Sequence, residues 1–343
     1  MGVAKNHQTL NKKYFILSMP VSLSHFYSRG SSLGVAYGLQ VVTGLFLAMH
    51  YRINFKDLIV YSRDTEFRSL LRFYHATGAS LFLFLLYWHL GRRLYYGSFN
   101  KNKLWGSGVV ILLVSMGAAF LGYVLPYGQM SYWGATVIIN LLSVFSYEIC
   151  ITLWRGFVVS EYTLVRMFSF HFLVPLLLGV LLLVHVSLLH TSRRSSLNYS
   201  FNKLGFTGSY LNKDFFMWVV LMLGVGHFWL LFPNTLGDSD NYTEANPKVT
   251  PAHIKPEWYF LFAYAILRCV SNKTARVLLL FAAILILALA VVFSTRREGM
   301  QHFTTVQVQF LLLTVARGLQ ITTYNTFLSQ VASVLYFHTL LFI

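Results

Sequence analysis

The sequence predicts an all-α polytopic membrane protein of eight transmembrane helices. Three observations lead there. Of 343 residues 56% are hydrophobic, only 11% are charged, and the mean hydropathy is +0.58. An average soluble domain has roughly a quarter of its residues charged, so too little polar material remains to cover a water-facing globule of this size. The apolar residues also fall in runs of about 20, the length that crosses a bilayer as a helix, and the charges sit in the short connections between them.

The runs lie near 31–51, 73–93, 106–126, 168–190, 215–233, 275–294, 303–321 and 326–343. Each is read as a helix because lipid offers the backbone no hydrogen-bond partner. The seventh is interrupted by Arg317 and several Gln and Thr, and the eighth stops at Ile343, barely long enough. Ahead of the first run, Met1–Asn11 is polar. It has neither the apolar core of a secretory signal nor the Arg- and Ser-rich pattern of a transit peptide, and 1–29 is expected to be a polar segment.

Charge orients the bundle. Lys and Arg number 27 against 11 Asp and Glu, for a net +16. A nucleic-acid partner would suit that balance, but no soluble domain exists to carry a basic face, so the lipid bilayer is the expected surround and nucleic acid is not expected. The N-terminus and the second–third, fourth–fifth and sixth–seventh loops hold 14 Lys/Arg and two acids; the opposite loops hold 12 and nine. Basic residues concentrated in short loops favour an inside N-terminus. Cys150 and Cys269 are too few for a disulfide framework or a Cys-based metal site and read as ordinary apolar residues.

Histidine placement is the informative feature. His75 and His89 lie in the second span, His171 and His185 in the fourth, and both pairs are 14 residues apart. Fourteen residues are close to four turns, so each pair faces one side of its helix about 21 Å apart. One span intervenes, so the two helices run in the same direction, and His75 can face His171 while His89 faces His185. Two imidazoles from neighbouring helices are what a six-coordinate haem iron needs. A lone His in a membrane helix more often hydrogen-bonds within the bundle or lines a proton path; two pairs at one spacing favour two haems stacked across the bilayer.

Glycines repeat that spacing on the alternate helices: Gly30 and Gly44 in the first span, Gly108 and Gly122 in the third. Lack of a side chain lets a large flat ligand approach the backbone. Small residues also serve plain helix packing in membranes, so the glycines support the haem reading and would not carry it alone.

At these residues the sequence resembles the cytochrome b family of quinol–cytochrome c oxidoreductases, from about Gly30 through Val291. The resemblance rests on LFLAMHY at Leu45–Tyr51, GYVLPYGQMSYWGATVIIN at Gly122–Asn140, HIKPEWYFLFAYAILR at His253–Arg268 and the late SVLYF at Ser333–Phe337. It implies eight transmembrane helices, with a haem-binding four-helix bundle over 30–200 and helices five to eight over 201–343. It further implies that His75 and His171 ligate a low-potential b haem, and His89 and His185 a high-potential one. Arg72 and Arg92 match arginines that meet haem propionates, a role suited to guanidinium forks.

Two quinone sites follow from the same resemblance. Pro256-Glu257-Trp258-Tyr259 matches the PEWY motif beside the low-potential haem, where Glu257 takes a proton as ubiquinol is oxidised. A carboxylate in apolar surroundings has a raised pKa, which suits that task. Met116, Phe120, Trp133, Gly134, Phe260 and Tyr264 match positions lining the pocket; without the resemblance the aromatics read as core and Glu257 as a loop acid. Near the high-potential haem, His190 and Asp214 match the pair that contacts and protonates ubiquinone, with Lys213 a neighbouring basic residue. Without it they read as interfacial polar residues.

Several positions depart from the family pattern. Tyr127 stands where Trp is usual, Phe145–Glu148 lacks the expected Pro and Gly, Thr191–Ser195 replaces a Gly- and Asn-containing turn, and Thr207-Gly208 replaces a common His-Pro. None touches a haem ligand.

The resemblance implies a bifurcated reaction within a larger, dimeric complex in the mitochondrial inner membrane, N-terminus on the matrix side; a bacterial plasma membrane stays open as the alternative. The chain has no Cys set for an iron–sulfur cluster and no CxxCH for c-type haem. Those centres are expected from a Rieske iron–sulfur protein and a cytochrome c1-type subunit, among accessory subunits. The competing class is a transporter or proton channel with a histidine relay, for which internal repeats and matching broken spans are expected. None is found, and the 14-residue spacing would have no reason.

Overall fold

The computed structural model describes residues 18–20, 28–56, 66–96, 102–154, 158–192, 203–205, 210–232, 235–293, 299–318 and 322–341. Most of the expected polar segment 1–29 lies outside them, as do Arg193–Ser195 and Thr207–Gly208.

Each of the eight apolar runs forms a long helix. These are α1 (Arg29–Ala48), α2 (Glu66–Tyr95), α3 (Asn102–Val124), α6 (Glu161–Ser192), α7 (Leu211–Leu231), α9 (Lys273–Phe293), α10 (Gly299–Gly318) and α11 (Thr323–Leu341). Three short helices sit between them: α4 (Gln129–Leu142), α5 (Tyr147–Trp154) and α8 (Leu261–Arg268). Among the described residues the other regular elements are 3-10 turns and one antiparallel pair, β1 (Ser18–Pro20) on β2 (Lys203–Gly205).

By length and composition α1, α2, α3 and α6 are each able to cross a membrane. At 30 and 32 residues, α2 and α6 are about 45 Å long at 1.5 Å per residue, more than the hydrocarbon core needs, so both leaflets are within reach of one helix. The outer face of α6 is apolar and open, with Leu183 73% exposed and Val180 59%; lipid is the solvent such a face requires.

Packing is uneven in a way that matters for the site. In the four-helix bundle α1 lies closely on α2, and α3 on α6, while the two pairs touch each other far less. The bundle is therefore two tight pairs with space between them. The C-terminal helices α8 to α11 pack together and join the bundle through α10 on α2 and α9 on α3. Trp105 Nε1 donates to the Leu287 carbonyl across the second joint, at 2.5 Å. Leu83, Leu85, Leu112, Ile266, Leu313 and Leu340 are fully buried in the resulting core.

The connection between the third and fourth spans is folded into the two short helices α4 and α5, which no apolar run of spanning length announces. α4 buries Met130, Tyr132, Ala135 and Ile139 at helical spacing, yet at 14 residues it is too short to cross. Its entry is a tight turn in which Tyr127 takes φ 55°, the left-handed region. Gly128 follows where any Cβ would overlap the Asn241 backbone. Gln129 N donates to the Thr243 carbonyl (3.0 Å) and Ala245 N to that of Tyr127 (3.2 Å). The Asn241 Oδ1 accepts from both N and Oγ of Ser131, at 2.9 Å each. These bonds clamp the long α7–α8 loop, which carries Glu257, to the α3–α4 turn and the start of α4.

Candidate functional site

The two histidine pairs meet across the gap between the helix pairs. The ring centres of His75 and His171 are 6.0 Å apart, and those of His89 and His185 are 6.5 Å apart. A metal bonded to one nitrogen of each ring at about 2 Å sets two imidazole centres about 6 Å apart, so each gap fits one iron.

Hydrogen bonds decide which nitrogen is available. Thr43 Oγ1 donates to the Leu39 carbonyl at 2.7 Å and so accepts from His75 Nδ1 at 2.9 Å. Ser107 Oγ likewise donates to Leu104 O (2.8 Å) and accepts from His185 Nδ1 (2.7 Å). His171 Nδ1 donates to the Ala118 carbonyl at 2.9 Å. Fixing the Nδ1 proton leaves Nε2 with its lone pair, the arrangement found in metal-ligating histidines. His89 differs: its Nδ1 is approached at 3.4 Å by the Arg92 guanidinium, which can only donate.

Each glycine of the 14-residue pattern faces a different histidine. A Cβ on Gly122 would lie 2.6 Å from His171 Cε1, on Gly44 2.9 Å from His75 Cε1, on Gly108 3.4 Å from His185 Cε1, and on Gly30 3.5 Å from His89 Cε1. The immediate neighbour of the missing side chain is thus an imidazole, and the space for a flat ligand follows from where the glycines let the rings lie.

Around the His75–His171 pair opens a cavity of about 1060 Å³, at the upper end of the range for ligand sites and ample for a haem. Gly44, Gly122, Arg72, Tyr123, Glu257 and Tyr259 share its wall with the two histidines. The residues and the cavity fit a bis-histidine haem.

Glu257 ends the loop ahead of the 3-10 turn Trp258–Phe260, and Phe260 N donates to its carbonyl at 2.9 Å. Two bonds from α2 hold that turn: Tyr87 Oη to Tyr259 O at 2.7 Å, and Trp258 Nε1 to Ser80 Oγ at 3.2 Å. Burial pushes the Glu257 carboxyl up to about 7; the Tyr123 hydroxyl beside it pulls against that, and the Asp238 carboxylate adds to it.

Of the other residues expected at this pocket, Met116, Phe120, Trp133, Gly134, Pro256, Phe260 and Tyr264 do not line the cavity. Met116 and Tyr264 are buried, Phe260 packs on the main core, and Phe120 and Trp133 pack around Tyr132, Ile139 and Met167. At the opposite end, His190 is exposed in the last turn of α6, while Asp214 is buried in the first turn of α7. Both helices touch α1. The Lys213 ammonium lies 5.2 Å from the Tyr210 ring centre.

Sequence reasoning missed Thr43, Ser107 and Tyr123. The first two carried a signal: each immediately precedes a patterned glycine, as Thr43-Gly44 and Ser107-Gly108. Tyr123 had only its place after Gly122.

A family profile described as cytochrome b/b6/petB matches residues 15–193, and one described as cytochrome b(C-terminal)/b6/petD matches 244–337. Among solved structures, a chain of a hyperthermophilic respiratory Complex III superposes with a TM-score of 0.86 at 24% identity, covering 98% of this chain and 95% of that one. That second likeness is one of fold.

Proposed function

This chain belongs to the cytochrome b/b6 family, the electron-transfer subunit of cytochrome bc complexes, and we propose that it oxidises ubiquinol near Glu257 and reduces ubiquinone near His190 and Asp214. The observation that carries this is the pair of facing histidine couples at 6.0 and 6.5 Å, each ring backed by its own glycine. His75 and His171 hold the low-potential b haem and His89 and His185 the high-potential one, with Arg72 and Arg92 toward the propionates. Residues 30–200 are the haem-binding unit, and 201–343 supply the quinol-oxidation loop.

The haems, when bound, carry single electrons between the two quinone sites. The chain's own work is protonic and positional. Oxidising a quinol releases two electrons and two protons: the Glu257 carboxylate, ionised above about pH 7, accepts one proton at its oxygen and the other goes to the water on that face, while one electron leaves to a Rieske iron–sulfur protein and the other to the His75–His171 site. Tyr87 and Ser80 on the histidine helix α2 fix the Glu257 turn, so the carboxyl keeps its place on the cavity wall. At the other face Asp214 and His190 deliver protons as quinone takes up electrons, with Lys213 nearby. Release on one face and uptake on the other builds a proton gradient. The setting is a dimeric complex with a cytochrome c1-type subunit and accessory subunits in the mitochondrial inner membrane, N-terminus on the matrix side.

The test is a dithionite-minus-oxidised spectrum of the purified complex during a potentiometric titration. Two b-type components with separate midpoints are expected. Folded, cofactor-complete protein without a b-type signal would overturn the assignment.

A further inference from the structure

At the end of the bundle that carries His89 and His185, an arginine outside the proposed propionate pair lies inside the protein. Arg29, in the first turn of α1, is only 6% exposed. Its guanidinium carbon sits 3.7 Å from the centre of the Trp88 ring, a cation–π seat that offsets part of the cost of burying the charge. Chain continuity ties this cation to the His89 site from both sides. Trp88 directly precedes His89, and Gly30, directly after Arg29, is the glycine that faces the His89 ring.

The same end gathers further positive charge. The Arg92 Nη2 lies 3.4 Å from His89 Nδ1, and Arg93 stands beside it in the last turn of α2. The other pair has a different balance, because the carboxyls of Glu257 and Asp238 share the cavity wall with Arg52, Arg68 and Arg72. A site that accepts one electron loses one unit of positive charge. A fixed cation in surroundings of low dielectric stabilises that reduced state, and a nearby carboxylate opposes it.

We propose that Arg29 tunes the haem site at His89 and His185, its buried charge raising the midpoint potential there and so favouring electron movement away from the His75–His171 site. The inference rests on the proposed haem ligation. Arg29 acts through the electrostatics of the site and is not a catalytic residue.

The experiment is a potentiometric titration of the purified complex carrying Arg29→Gln. The reduction equilibrium of the higher-potential b component is expected to fall about tenfold, about 59 mV for a one-electron couple. The lower-potential midpoint and both visible band positions stay where they are, and Arg29→Lys retains most of the wild-type value. Stationary midpoints, or an equal fall in both, overturn the proposal. If Arg29→Gln fails to assemble with both haems, Trp88→Leu replaces it; this variant keeps every charge and removes the ring that seats the guanidinium. A fall of about threefold in the same component is then expected, and a stationary midpoint overturns the proposal. A wild-type complex with a single b component would sink the proposed function and this inference together, whereas two components indifferent to Arg29 sink this inference alone.

Discussion

Ser107 accepts a hydrogen bond from Nδ1 of His185 at 2.7 Å while its own proton goes to the Leu104 carbonyl. That bond fixes the tautomer and the ring, and it makes the imidazole a stronger donor to a metal through Nε2. Ser107→Ala is therefore expected to loosen haem retention at this site by roughly tenfold or more, the usual effect of losing an outer-shell partner. The midpoint of whatever haem remains should rise, because a weaker imidazole donor favours the reduced iron. A redox titration with haem quantitation checks both, and the sign is opposite to that expected for Arg29→Gln.

The four glycines grade by distance. Gly122→Ala brings a methyl to 2.6 Å from His171 Cε1 and 3.0 Å from Nε2, closer than packed atoms approach, so the ring must move. Loss of one b component is expected in its optical spectrum. Gly44→Ala, at 2.9 Å, should follow it, while Gly108→Ala and Gly30→Ala, at 3.4 and 3.5 Å, should keep both haems. The reverse order would refute the view that these glycines make room for imidazoles.

Quinol oxidation should titrate with Glu257. The carboxyl sits at about 7 and accepts a proton only when ionised, so activity should rise as pH increases through that value. Glu257→Gln should remove the step and slow oxidation by roughly a hundredfold, the lower range for a lost general base. Asp238→Asn takes away a neighbouring negative charge and should move the step to lower pH. Tyr123→Phe removes a hydroxyl that favours the ionised form and should move it higher.

Asp214→Asn is expected to slow re-oxidation of the higher-potential b component by added quinone, by roughly a hundredfold if the carboxyl delivers the proton. The dithionite-reduced spectrum should not change. An unaltered rate would leave Asp214 as a structural residue at the start of α7.

The extent to which the chain announced itself varies with the kind of feature. All eight runs of apolar residues became long helices because a span is a local property: about 20 residues either satisfy lipid or do not. Short helices were harder. α4 buries one face against protein and α5 only Cys150, and a helix of 14 or 8 residues between two spans looks like any polar-edged connection. α8 buries Phe262 through Leu267 in succession, so it lacks the one-sided pattern by which a surface helix is recognised.

At the site, a spacing of 14 on two helices determined by itself which histidines share a face, since helical pitch is fixed. The same arithmetic picked out Gly30, Gly44, Gly108 and Gly122. Only the tertiary structure decided what those glycines touch, because that depends on α1 packing on α2 and α3 on α6, with the two pairs held apart. Only it could bring Thr43 to His75, separated by 32 residues, Ser107 to His185, separated by 78, and Arg29 onto Trp88. The sequence thus settled the period and polarity of each helix, which are set within a few turns. The partners of each side chain depend on how separate helices pair, a choice governed by shape and contact between distant segments rather than by any pattern along the chain.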